Sequence, residues 1–109
     1  MPKKYRLSRA DFIRLPKPVC RMHGTYFSLT VTPSPLLGGP RAACVVSKKV
    51  SARSVDRNRI ERRCRESLRP LLVQLKDRAA FIFYAKRESV SASSKEIQQD
   101  VRKLLERVA

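Results

Sequence analysis

Apolar and polar positions alternate, cluster and recur along this chain so that its elements can be outlined one by one. Ser8-Arg9-Ala10-Asp11 offers a helix cap with an acid three residues on, and Phe12, Ile13 and Leu15 follow before Pro16 and Pro18 halt the helix. Residues 25–32 alternate, with Phe27, Leu29 and Val31 on one face and Tyr26, Ser28, Thr30 and Thr32 on the other, the pattern of a half-buried strand. The stretch 33–40 is dense in Pro and Gly, after which residues 41–48 run nearly unbroken through Ala42, Ala43, Cys44, Val45 and Val46. The simplest reading is an antiparallel pair of strands joined by a long loop.

From Ser54, an N-cap candidate with Asp56 near the positive end of the helix, the pattern predicts a helix to about Arg69. Pro70 ends or kinks it, while Leu71, Leu72 and Leu75 leave room for a continuation. Residues 79–85 are aromatic and β-branched and short enough for a central strand. Ser93-Ser94-Lys95-Glu96 resembles a capping box, and Ile97, Val101, Leu104, Leu105 and Val108 then recur at helical spacing. The order is α-β-β-α-β-α, with room for an extra short strand in the Pro/Gly loop and one sheet covered by helices on one face.

A length of 109 residues suits one domain, residues 1–109, and a hydrophobic content of 42% is enough for a modest core. Charge changes the picture more than length does. Lys and Arg total 25 against 9 Asp and Glu, a formal net charge of +16 that seeks a polyanion. No long apolar run or cleavable leader pattern stands out, so a cytoplasmic protein is expected, and a partner of nucleic acid rather than membrane. Cys20, Cys44 and Cys64 are odd in number and widely spaced, which signals neither a disulfide framework nor zinc; small buried hydrophobes in a reducing compartment are expected.

The charge concentrates on one predicted helix. Ile60, Cys64, Leu68 and Leu71 line up at steps of three and four and define its buried face. Asn58, Arg62, Arg65 and Arg69 fall opposite, with Arg59 and Glu66 beside them. Plain solvation is the competing explanation for such a face. Yet seven of the nine basic residues between positions 47 and 69 are Arg, whose planar fork matches phosphate oxygens and stacks on bases. Docking onto folded RNA is the better reading.

Ser47-Lys48-Lys49, then Arg57-Asn58-Arg59-Ile60, then Arg62, Arg65 and Glu66, resemble the motif of the bacterial ribonuclease P protein subunit. Arg6-Leu7 with Asp11-Phe12, and the strand from Phe81 to Lys86, are similar to further parts of that family. The resemblance implies an α+β fold, αβββαβα, of the ribosomal protein S5 domain 2-like kind, with an unusual left-handed βαβ crossover. It implies binding of the catalytic RNA through Lys48, Lys49, Arg53, Arg57, Asn58, Arg59, Arg62, Arg65 and Arg69. It further implies that the 5′ leader of precursor tRNA lies in a cleft between sheet and N-terminal helix, where Phe12, Tyr26, Tyr84, Lys86 and Arg87 are the candidate contacts. Ser51, Glu61 and Pro16 depart from the family, which often has Gly, Lys and an aromatic residue there.

No residue set in this chain suits catalysis. His23, the only histidine, lacks an acidic partner in sequence and is expected on an exposed loop. Asp56, Glu61 and Glu66 are explained by the helix dipole and i,i+4 pairing with arginines, and they suggest no metal pair. The expected cofactor count for the protein alone is therefore none, with magnesium belonging to the RNA-containing holoenzyme. Tyr26 and Tyr84 are as well explained by packing as by stacking. The rival readings are a ribosomal or other structural RNA-binding protein and, less well supported, a DNA-binding or membrane-adhesive domain.

Overall fold

Both expected caps form at the two ends of the chain. In the computed structural model, which describes residues 5–34, 37–75 and 78–108, the Asp11 N–H donates to Ser8 Oγ at 3.0 Å and opens helix α1 (Arg9–Arg14). At the other end the Glu96 N–H donates to Ser93 Oγ at 3.1 Å and the Ser93 N–H to Glu96 Oε1 at 2.9 Å, a reciprocal box that opens α3 (Ser94–Val108). Between them lie β1 (Cys20–His23), β2 (Phe27–Pro33), β3 (Arg41–Val45), α2 (Ser54–Leu72) and β4 (Ala79–Ala85), with a short 3-10 helix over Arg87–Ser91. The order is αβββαβα.

The sheet runs β1-β2-β4-β3. This corrects the expected β2–β3 hairpin: β4 inserts between the two, antiparallel to β2 and parallel to β3. The reason is burial. Residues 79–83 of β4 are buried on both faces, which suits a central position, whereas β3 is mostly half-buried and takes an edge. The extra strand also lies elsewhere, at Cys20–His23 against β2, and the described residues of the Pro/Gly loop form no strand of their own. β3 stops at Val45, short of the expected Lys48. Joined by α2, β3 and β4 form the parallel βαβ unit that the resemblance implies.

One face of the sheet carries the main core, in which Phe27, Leu29, Ala42, Phe81 and Phe83 meet Ile60, Cys64, Leu68 and Leu72 of α2 and Ile97, Val101, Leu104 and Leu105 of α3. Phe27 and Phe83 pack edge to face with ring centroids 6.4 Å apart. Leu72, not Leu71, completes the buried stripe, because α2 continues through an exposed Pro70 for two more residues. On the other face, among the described residues, Ala80 and Ile82 cluster with Leu7 and Leu15, which flank α1, with Leu37 of the Pro/Gly loop, and with Ala43 and Val45 of β3. The sheet is thus fully covered on one side and half open on the other.

Candidate nucleic-acid interface

The start of α2 is built by a side chain outside it. Ser54 is its first helical residue, not its cap, and Arg53 at the cap position supplies no side-chain bond. Instead Ser51 Oγ accepts the Arg53 N–H at 3.3 Å and donates to Asp56 at 3.1 Å. Asp56 also meets Arg59 at 3.3 Å and Arg53 at 3.9 Å. Arg57 Nη1 donates to the carbonyls of Ser51 and Ala52, each at 2.9 Å, and Arg59 Nη2 donates to the Val90 carbonyl at 3.0 Å. Several of the expected RNA-binding arginines therefore hold loops against the helix.

The outer face differs. Asn58, Arg62 and Arg69 are exposed, and among the described residues their side chains make no hydrogen bond or ion pair. Arg65 is half-buried and pairs with Glu61 at 3.5 Å, one helical turn away. Arg62, Arg65, Glu66 and Arg69 line one depression of about 300 Å³. Three guanidinium groups around a single open hollow can satisfy a phosphate from several directions. Lys48 and Lys49 stand exposed on the turn before α2, and Arg87 Nε donates to the Lys49 carbonyl at 3.2 Å, which ties that turn to the end of β4.

The half-open face of the sheet forms a second concave surface. Arg21, His23, Ser28, Thr30 and Tyr84 line a hollow of about 370 Å³. His23 lies on β1 rather than on a loop, with Nδ1 2.9 Å from Ser28 Oγ. Thr30 Oγ1 is buried and has no hydrogen-bond partner among the described residues. Tyr84 is exposed beside it, and Phe12 is 41% exposed on α1, the helix whose flanking Leu7 and Leu15 pack on this face. Arg21, His23, Ser28 and Thr30 carry no site role in the sequence pattern, although Ser28 and Thr30 stand on the polar face of β2 and the alternation of Cys20 and Met22 with Arg21 and His23 signals a second such face.

Three of the expected leader contacts are otherwise engaged. Tyr26 packs against the helix-covered core, and its hydroxyl donates to Glu96 at 2.6 Å, the packing alternative. Lys86 Nζ donates to the Gly24 carbonyl at 2.6 Å. Arg87 leans toward the turn of Lys48 and Lys49, nearer the α2 set than the open face. Among the described residues no group of three or more His, Cys, Asp and Glu is placed to hold a metal ion, and no helix is long and apolar enough to cross a membrane.

A family model, Ribonuclease P, matches residues 1–109. The chain belongs to the ribonuclease P protein family. It is 34% identical over 106 residues to the ribonuclease P protein component of a Pseudanabaena species, covering 96% of this chain and 91% of that one. A Synechococcus ribonuclease P protein component is 32% identical over 111 residues, covering 98% of this chain and 84% of the other. A Staphylococcus aureus RNase P protein mutant superposes with a TM-score of 0.83 at 25% identity, covering 97% of this chain and 89% of that chain. The Thermotoga maritima RNase P protein superposes with a TM-score of 0.78 at 19% identity, covering 95% of this chain and 97% of that chain, a likeness of fold.

Proposed function

We propose that this chain is the protein subunit of ribonuclease P, binding the catalytic RNA through the outer face of α2 and the 5′ leader of precursor tRNA on the open face of the sheet. The observation that carries the reading is the depression lined by Arg62, Arg65, Glu66 and Arg69, in which Arg62 and Arg69, like Asn58 on the same helix face, are unengaged among the described residues. Arg57 and Arg59, which bond to carbonyls outside α2, and Arg53, which faces Asp56, shape this surface and add to its field, and Lys48 and Lys49 extend it. The open face offers what an extended single strand needs: the aromatic rings of Phe12 and Tyr84 for stacking, and the unpartnered Thr30 hydroxyl and Arg21 for polar contacts. Lys86 and Arg87 lie at the end of the same strand.

The RNA performs the hydrolysis in this reading, and magnesium acts there; the protein holds substrate and strengthens the metal affinity of the assembled site. The cytoplasm, which keeps thiols reduced, is the proposed compartment. The decisive experiment is reconstitution with a candidate catalytic RNA. Cleavage of precursor tRNA at low magnesium should require the RNA and be raised by the protein, and rigorously RNA-free protein should leave the precursor intact. Cleavage by the protein alone would overturn the division of labour. Co-purification with ribosomal RNA, and no stimulation of the catalytic RNA, would favour a structural RNA-binding role instead.

A further inference from the structure

Two cysteines that stand twenty positions apart in the chain meet across the sheet and the helix. The alternation of β3 turns Cys44 toward the helix-covered face, and the apolar stripe of α2 turns Cys64 toward the same place. Their Sγ atoms are 2.6 Å apart. The two sulfurs are in direct contact, and both residues are free cysteines. The two are unequally reachable. Cys64 is fully buried, whereas Cys44 lines a cavity of about 330 Å³ at the sheet edge, between β3 and α2. Arg6, Arg65 and Glu61 stand on the wall of that cavity, two guanidinium groups against one carboxylate.

We infer that Cys44 and Cys64 form a dithiol site that an anionic low-molecular-weight disulfide, such as oxidised glutathione, converts to a bridge between β3 and α2. The Cys44 thiolate attacks one sulfur of the incoming disulfide, whose S–S bond breaks and releases one small thiolate, leaving a mixed disulfide on Cys44. The Cys64 sulfur, after losing its proton, attacks the Cys44 sulfur and displaces the second small thiolate. The two protein thiols lose two protons and two electrons, and one small disulfide becomes two thiols. Cys44 makes the first attack because it faces the cavity. Burial, followed by the contact with Cys44, pushes the Cys64 thiol well above its ordinary range, which keeps it out of the first step; its contact with the Cys44 sulfur is what brings it into the second. The cationic wall favours an oxidant carrying carboxylates.

The test is to incubate the reduced full-length protein with oxidised glutathione, alkylate under unfolding conditions, and map the products by mass spectrometry. Of the three free cysteines, only Cys20 should remain alkylatable, with the peptides of Cys44 and Cys64 joined and lighter by two hydrogens. Cys64→Ser should trap one glutathionyl group on Cys44. Cys44→Ser should form neither bridge nor adduct on Cys64, and circular dichroism checks that both variants fold. Full alkylation of Cys44 and Cys64 after oxidation, a bridge to Cys20, or an adduct on Cys64 in Cys44→Ser would each overturn the inference.

Discussion

Asp100 shows how one side chain can organise a turn far from it in sequence. Its carboxyl oxygens accept the backbone N–H groups of Thr25, Tyr26 and Phe27 at 2.9, 2.9 and 3.0 Å, so the β1–β2 turn is fastened to α3. Gly24 completes the fit: a Cβ there would lie 2.7 Å from both Asp100 oxygens. Asp100→Ala leaves three donors without their acceptor and should cost roughly 3 kcal/mol in urea unfolding, with Asp100→Asn costing less. Beside it, the hydrogen bond from Tyr26 holds the Glu96 carboxyl below its ordinary range and raises the Tyr26 hydroxyl above its own. A depressed carboxylate contributes stability above its unfolded value and loses it as pH falls through the folded one. A raised tyrosine contributes fully below its unfolded value and loses that as pH rises through the folded one. Tyr26→Phe should therefore lower the urea midpoint most at intermediate pH, with the difference from the parent shrinking toward both the acid and the alkaline end. A gap independent of pH would assign the loss to packing. The bond from the Ser93 N–H to the Glu96 carboxylate survives in the variant, so some acid sensitivity should persist.

At the scale of the element, α2 combines two tasks that its composition does not separate. Its inner stripe of Ile60, Cys64, Leu68 and Leu72 is fully buried. Around it, Arg57 donates to carbonyls of the preceding turn and Arg59 and Arg63 to those of Val90 and Ala92 at the 3-10 helix, while the outer side leaves Arg62 and Arg69 unengaged among the described residues. Substitutions should sort accordingly. Arg62→Ala and Arg69→Ala should leave the unfolding midpoint nearly unchanged, weaken catalytic-RNA binding, and lower the slope of log K against log salt by roughly 0.7 to 0.9 for each phosphate no longer neutralised. Arg59→Ala should lower stability as well, by about 1 kcal/mol or more, because the Val90 carbonyl and Asp56 lose a charged partner. Binding isotherms at several salt concentrations, paired with urea curves, separate the two groups. Unchanged affinity and slope in folded Arg62→Ala and Arg69→Ala would remove α2's outer face from the interface.

Over the whole molecule the two faces of one sheet are kept apart by what covers them. α2 and α3 close one face, while α1 and its flanks cover only part of the other and leave Tyr84, His23 and Thr30 around an open hollow. Phe12 is the aromatic residue on α1, and a base stacked on an aromatic ring is worth roughly 1 to 3 kcal/mol. Phe12→Ala should thus weaken precursor tRNA binding by the reconstituted assembly about tenfold, and Tyr84→Ala should act in the same direction. Mature tRNA, which lacks the leader, should bind the variants and the parent alike. Equal losses for both tRNAs would mark these rings as packing residues. Both variants should retain catalytic-RNA affinity, since α2 faces away from the open side.

Local pattern determined the caps at Ser8 and Ser93, the alternation of β2, the buried run of β4 and the inner stripe of α2, because each depends on neighbours within a few positions. The cationic outer face of α2 was legible for the same reason: a helix's own period separates it from the core. Strand partnership was not legible, since β4 enters between β2 and β3 through pairings remote in sequence, and β1 is too short for its alternation to stand out behind two prolines. Nor could composition tell Arg62 from Arg59, because both are arginines on one helix and the 3-10 helix that carries Val90 decides which is engaged. The meeting of Cys44 with Cys64, and the Asp100 clasp on residues 25–27, are likewise products of packing, where the distance that matters is across the fold.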